Sequence, residues 1–267
     1  MTNALIRDWW EELFQIHEFA HYGDYAADLT RREVDFLMEA LGLSGVETIL
    51  DLACGGGRHA IELTRRGLTV IGVDIVKPLI TAAKARAAEL DLSIEFVQGD
   101  MRELHYEARF DVVLIMNSSL GFFDDATNQA VLAGAVRSLA PGGRLLLQCI
   151  NPYQIDRYMR EFRNGWYAVG SGYVLREARF DPLSASLVID YRYLDPAQSL
   201  EVQHPGDRIR LYGFPELKAM LQAVGMRPLS AFGDAVLPPE PFGEPSQWQV
   251  IVAQKPRLLS DEDEEAG

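Results

Sequence analysis

The chain predicts an α/β fold in which a mostly parallel sheet is covered by helices on both faces. Two observations carry this. Short apolar runs alternate with stretches of helical period through the first 150 residues, the pattern of strand–helix–strand units. The runs themselves are short and rich in apolar residues, as strands of a parallel sheet covered on both faces are.

Taken in order, VETILDL (46–52) is an apolar run ending in an acid, followed by glycines and the helical HAIELTRRG. LTVIGVD (68–74) reads as the second strand, KPLITAAKARAAEL (77–90) as a helix, and SIEFVQGD (93–100) as the third strand. FDVVLIMN (110–117), helical DATNQAVLAGAVRSLA (125–140) and GGRLLLQCI (142–150) continue the alternation. Pro141-Gly142-Gly143 is expected to close that helix and open the fifth strand. Helices are expected before this core, at about 3–20 and 28–41. After it, REARFDP, SLVIDYRYLDP and RIRLY read as antiparallel strands punctuated by Asp-Pro and Pro-Gly turns. FPELKAMLQAVG (214–225) returns to helical period, and RPLSAFGD and WQVIVAQK supply two closing strands.

Composition narrows the function classes. The net charge is −14, and Asp261, Glu262, Asp263, Glu264 and Glu265 supply five of the negatives. Such a run reads as a solvated, disordered tail, and the rest of the chain keeps the wrong sign for a phosphate backbone. No apolar stretch approaches the roughly 20 residues of a membrane-spanning helix, and the charged N-terminus does not resemble a signal peptide. A cytoplasmic protein with no nucleic-acid or membrane partner is expected. The two cysteines, Cys54 and Cys149, read as reduced, buried thiols.

The chemistry concentrates at DLACGGGRHA (51–60). A strand must end there, turn sharply and start a helix whose free N–H groups face a ligand. Gly55, Gly56 and Gly57 permit the turn and a close approach to the backbone. The spacing Gly55-x-Gly57-x-x-Ala60 also fits a dinucleotide fingerprint, and Asp74, at the end of the second strand, could take the ribose hydroxyls of either cofactor. Asp51 separates the two. A carboxylate just before the glycines repels a pyrophosphate but suits a cationic amine. Gly99-Asp100-Met101 then places an acid and an apolar residue where an adenine could be recognised. The ligand reads as adenosyl rather than dinucleotide. Arg58 and His59, opening the helix, read as surface or capping residues.

The stretch DLACGGGRHAIELTRRGLTVIGVDI resembles the first two motifs of class I S-adenosylmethionine-dependent methyltransferases, and in particular a bacterial small-molecule branch carrying D-x-x-C-G-x-G-R-H. The likeness continues through GDMREL, FDVVLIMNSSLGFF, LAPGGRLLL and WQVIVAQK. It implies a Rossmann-like seven-stranded sheet whose last strand is antiparallel. It also implies S-adenosylmethionine as cofactor: Asp51, Ala53, Cys54, Gly55 and Gly57 around its methionine moiety, Asp74 with Ile75 at the ribose, Asp100 and Met101 at the adenine, and Asn117 lining the methyl-transfer site. The expected organisation is a methyltransferase core at 1–150 and 213–256 (with a helical lid at 1–44), an antiparallel insertion at 151–212, and an acidic tail at 257–267.

The acceptor side is less legible. Asn117-Ser118-Ser119-Leu120-Gly121-Phe122-Phe123 lacks the Asp/Asn-Pro-Pro-aromatic tetrapeptide of amino-methylating DNA enzymes. A small-molecule acceptor methylated on nitrogen or oxygen is therefore expected. The 151–212 insertion, rich in aromatics, is expected to set specificity or make a homodimer contact. Tyr22 and Trp166, with Asn117, are the acceptor-side candidates. His17-Glu18-Phe19-Ala20-His21 matches the zinc-protease pattern H-E-x-x-H. It lies in a Trp- and Phe-rich helix with no third ligand at a recognisable spacing, so it reads as packing and no metal is expected. Two other functions share the glycine turn: a NAD-dependent oxidoreductase, and a non-catalytic S-adenosylmethionine-binding protein.

Overall fold

The computed structural model describes residues 27–169, 172–243 and 245–257. Tyr22, the H-E-x-x-H segment, most of the expected lid and the acidic run lie outside the described residues.

The chain runs α1 (Ala27–Ala40), β1 (Thr48–Leu52), α2 (Arg58–Arg65), β2 (Thr69–Asp74), α3 (Lys77–Glu89), β3 (Glu95–Gln98), β4 (Phe110–Ile115), a 3-10 turn (Ser119–Phe122), α4 (Asp125–Ser138) and β5 (Leu139–Ile150). It continues with α5 (Ile155–Phe162), β6 (Asn164–Val169), β7 (Gly172–Asp181), β8 (Ser186–Asp195), β9 (Leu200–Arg210), α6 (Phe214–Ala223), β10 (Arg227–Phe232) and β11 (Trp248–Gln254). The main sheet has seven strands in the order β10-β11-β5-β4-β1-β2-β3. β11 pairs antiparallel with both its neighbours, while β1 to β5 pair in parallel. This is the Rossmann-like sheet with an antiparallel last strand.

Successive side chains of a strand point to opposite faces, and the burial follows that rule. Leu50, Leu52, Val113, Ile115, Leu145 and Leu147 face one core, covered by Val131, Leu132 and Ala135 of α4 and Leu217 and Leu221 of α6. Ile49, Val112, Leu114 and Leu146 face the other, covered by Val34, Phe36 and Leu37 of α1, Ala60 and Leu63 of α2, and Ile80 and Ala83 of α3. The helix at 27–40, expected within a lid, is thus one of the helices closing the second core. Each fully buried side chain of this kind contributes about 1.5–3 kcal/mol, so both faces hold the sheet.

Two boundaries differ from expectation. Pro141-Gly142-Gly143 does not separate α4 from β5 but sits inside β5: Leu139 pairs with Phe110 and Arg144 with Val112, with a register shift between. Gly142, at φ 80°, takes up the irregularity, its N–H donating to the Lys255 carbonyl at 3.1 Å. The insertion does form a four-stranded antiparallel sheet, β6-β7-β8-β9, yet it opens with a helix. Ile155, Tyr158 and Met159 of α5 pack on a third core made by Val174, Leu187, Ile189, Tyr191 and Ile209. Their i, i+3, i+4 spacing is a helical stripe that the preceding Asn-Pro masked.

Candidate active site

The strand order reverses beside β1, which pairs with β2 on one side and β4 on the other. In open α/β sheets the crevice at this switch point, beyond the carboxyl ends of the strands, is where ligands bind. Asp51, Asp74, Asp100, Asn117 and Ile150 all sit at or just past those ends.

Asp51 is 2% exposed. The Ala60 N–H hydrogen-bonds its carboxylate, and its Oδ2 is buried without a hydrogen-bond partner. Burial, opposed by the charges of His59 and Arg58, pushes the carboxyl up to about 6. A buried carboxylate oxygen left unpaired is costly, which points to a partner supplied from outside.

The turn that follows divides its glycines by function. Gly55 (φ 55°) and Gly56 open onto free space, with nothing within 4 Å of the position a Cβ would take. Gly57 (φ 74°) is held by packing instead, for a Cβ there would meet the Phe96 ring at 2.6 Å. Its N–H is spent on the Cys54 carbonyl at 3.0 Å. Gly72 on β2, which sequence reasoning passed over, is a glycine for a related reason: a Cβ would lie 2.7 Å from Phe96 and 2.9 Å from Cys54 Sγ. Ala53 takes the left-handed region at φ 55°, unusual for a residue with a Cβ. Cys54 packs into the second core; burial, with Asp51 and Asp74 adding, raises its thiol well above the ordinary value.

Asp74 is 8% exposed and braces the turn: Gly55 N–H donates to Oδ2 at 2.8 Å and Val76 N–H to Oδ1 at 2.9 Å. Ile75 N–H also bonds this carboxylate, which with about four acceptor sites can still take a ligand hydroxyl. Ile75 is half-buried against the third core. Asp100 is held by Arg102, whose Nε lies 3.0 Å and 2.8 Å from its two oxygens. The Arg102 guanidinium also lies 4.9 Å from the Phe123 ring centroid, joining the third strand's end to the loop after β4. Met101 is buried in the first core.

That loop is strained and pinned. Asn117 (φ 54°) and Ser118 (φ 63°) are consecutive left-handed residues, each costing about 1–2 kcal/mol without compensation. Gln148 of β5 compensates, its side-chain oxygen accepting from Asn117 N–H at 3.2 Å and its carbonyl from Ser118 N–H at 2.9 Å. The Ser118 hydroxyl accepts from Ile150 N–H at 2.7 Å. Phe122 and Phe123 pack between the first and third cores, and a Cβ at Gly121 would meet the Arg210 carbonyl at 2.4 Å. The insertion therefore abuts this loop directly.

The insertion's aromatics divide. Tyr191, Tyr193 and Tyr212 are buried and serve packing. Trp166 is 70% exposed on β6, the edge strand of the small sheet, with its ring edge-on to Tyr173 at 5.7 Å. It stands on the small sheet's surface.

Arg58 and His59 are not surface residues. His59 is 4% exposed and its Nε2 lies 3.1 Å from Glu33 Oε2 on α1. Arg58 bonds the same carboxylate and the Thr30 hydroxyl. Glu33 escaped sequence reasoning because one acid in an amphipathic helix looks like any solvent-facing one.

A free, buried acid at the first strand's end, glycines open to a ligand and a second acid bracing the turn fit an adenosyl amino acid and not a pyrophosphate. Together with the seven-stranded sheet, they resemble the cofactor end of a class I S-adenosylmethionine-dependent methyltransferase.

Comparison with known proteins agrees. Residues 49–143 match the family model described as a methyltransferase domain. The cypemycin N-terminal methyltransferase of a Streptomyces species is 24% identical over 209 residues, covering 78% of this chain and 83% of that protein. Several relatives of 30–39% identity are matched over only about half their length or less. Among solved structures, the CcbJ methyltransferase of Streptomyces caelestis superposes with a TM-score of 0.70 at 23% identity, covering 86% of this chain and 90% of that one. The S-adenosylmethionine-bound CalS10 amino pentose methyltransferase of Micromonospora echinaspora gives 0.63 at 20% identity, covering 89% and 94%. Among the described residues no helix is long and apolar enough to cross a membrane.

Proposed function

We propose that the chain transfers the methyl group of S-adenosylmethionine to nitrogen or oxygen of a small-molecule acceptor. The observation that carries this reading is the unpartnered, buried Asp51 Oδ2 at the foot of the glycine turn. When bound, the cofactor supplies a methyl group on a cationic sulfur, strongly activated for in-line displacement.

The residues divide the work. Asp51 takes the ammonium of the methionine moiety, a charge-assisted hydrogen bond that an oxidised nicotinamide dinucleotide could not offer there. Ala53, Cys54, Gly55 and Gly57 shape the wall beside that moiety, with Gly55 and Gly56 letting the ligand approach the backbone. Asp74 offers its remaining acceptor site to the ribose, with Ile75 beside it. Asp100 and Met101 frame the adenine. Asn117 and the Phe122–Phe123 pair wall the methyl-transfer side, where holding the acceptor in line and excluding water is most of the catalytic task. A base is needed only if the acceptor attacks while still holding a proton.

A small acceptor is supported by the net charge of −14, unsuited to a nucleic-acid backbone. Relatives described as an N,N-dimethyltransferase and as ubiquinone biosynthesis O-methyltransferases support nitrogen and oxygen alike as acceptor atoms. The insertion at 151–212, which abuts the Asn117–Phe123 loop, is assigned to acceptor selection. A cytoplasmic location is part of the same proposal.

Calorimetry with S-adenosylmethionine, S-adenosylhomocysteine and NAD tests the cofactor. Binding of the first two and not the third is expected; binding of NAD instead overturns the reading. Release of S-adenosylhomocysteine on a panel of amines, phenols and carboxylates tests the acceptor. Tight cofactor binding with no turnover on any of them would make the chain a non-catalytic binder.

A further inference from the structure

A buried charged cluster lies between α1 and the first turn of α2, and the assignment of cofactor contacts leaves it without a role. Glu33 is 7% exposed and His59 4%. Glu33 Oε2 accepts from Arg58 and lies 3.1 Å from His59 Nε2, and Arg58 also reaches the Thr30 hydroxyl at 3.2 Å. Packing alone does not call for such an acid, since Val34, Phe36 and Leu37 on the same helix already bury an apolar face. Buried ionic groups cost desolvation and are a poor source of stability, so their presence here asks for another reason.

The cluster leads to Asp51. Ala60, the next residue after His59, donates its N–H to the Asp51 carboxylate, and the charges of His59 and Arg58 act on that carboxylate. Asp74 adds a like charge across the same turn, and the Arg58 guanidinium opposes it. With Glu33 ionised, Arg58 and His59 are held in one place; without it, two long side chains regain rotamers and the start of α2 loses its anchor on α1.

We propose that Glu33 is a positioning residue for the methionine end of the cofactor. It anchors Arg58 and His59, and through them fixes the first turn of α2 so that the free oxygen of Asp51 faces the incoming ammonium. This rests on Asp51 being the ammonium acceptor, as assigned above. A simple staple between two helices would affect every ligand of the crevice alike; a device acting through Asp51 affects only ligands that carry the amino acid.

The test compares S-adenosylhomocysteine with 5′-methylthioadenosine, which shares the adenosine and thioether but lacks the amino acid. Glu33→Gln is expected to weaken S-adenosylhomocysteine by about tenfold and methylthioadenosine by less than about twofold, with Glu33→Asp restoring most of the difference. Equal weakening of both ligands, or of neither, overturns the proposal. If Glu33→Gln does not fold, His59→Gln, which leaves the Arg58–Glu33 pair intact, is expected to show the same selective loss, and equal effects there overturn it too. Asp51→Asn separates the two levels. If it shows no selective loss, the ammonium assignment fails; if it does and Glu33→Gln does not, only the role of Glu33 fails.

Discussion

Gly55 donates its backbone N–H to Asp74 Oδ2 at 2.8 Å, so the acid at the end of the second strand also holds the turn after the first. The same carboxylate takes Val76 N–H on its other oxygen at 2.9 Å. A residue expected only to meet a ribose therefore has a second task, setting the conformation of the loop beside it. Asp74→Ala should remove two charge-assisted bonds at once and destabilise the fold by about 2–3 kcal/mol. Asp74→Asn, which keeps one carbonyl acceptor, should cost less than half as much while still weakening cofactor binding. Denaturant titration and calorimetry on the two variants check this.

The glycines should separate folding from binding. Gly57→Ala places a Cβ 2.6 Å from the Phe96 ring in a left-handed conformation, and should cost several kcal/mol, on the order of the larger overpacking penalties. Gly56→Ala meets nothing within 4 Å and should fold normally, yet its methyl enters the space left for the cofactor. Thermal melts should therefore separate the two variants, and cofactor titration should show Gly56→Ala impaired although folded. Gly72→Ala should be partly rescued by Phe96→Leu, because both act on one contact.

Asp51 gives opposite pH dependences to stability and binding. Its folded carboxyl lies at about 6, above the ordinary 3.8. A raised acid contributes stability that is fully present below the unfolded value and is lost as pH rises through the folded one. Relative to Asp51→Asn, the ligand-free protein should thus lose up to about 3 kcal/mol between pH 4 and 7. Binding of the cationic cofactor needs the ionised acid and should strengthen over that window. Denaturant melts and cofactor titrations at several pH values, on wild type and variant, read both slopes.

Gln148→Ala should loosen the Asn117–Ser118 turn. It removes the side-chain acceptor of Asn117 N–H from a turn that holds two left-handed residues in place. With the acceptor wall displaced and the adenosine contacts intact, kcat should fall roughly 10- to 100-fold, while the affinity for S-adenosylhomocysteine should change little. Steady-state kinetics beside calorimetry on this variant distinguish the two.

The legible parts of this chain are those written as periods. Strands β1 to β5 and β11 are apolar runs bounded by turn residues, and the acids at 51, 74 and 100 mark strand ends by position alone. What escaped depends on contacts distant in sequence. Pro141-Gly142 reads as a helix stop, yet pairing of Leu139 with Phe110 draws it into a strand. Arg58 and His59 read as exposed because the acid that buries them lies 25 residues upstream on another helix. The left-handed Asn117 and Ser118 have no local signature, since the bonds that hold them come from Gln148 and Ile150 on the neighbouring strand. Helix α5 was hidden by the Asn-Pro before it, which in sequence signals a turn.

A crystal structure of the protein with S-adenosylhomocysteine tests the central claim most directly. The ligand's amino nitrogen is expected within about 3 Å of Asp51 Oδ2, beneath the glycine turn. An amino group bound elsewhere, with Asp51 Oδ2 still unpartnered or occupied by a protein donor, would contradict it.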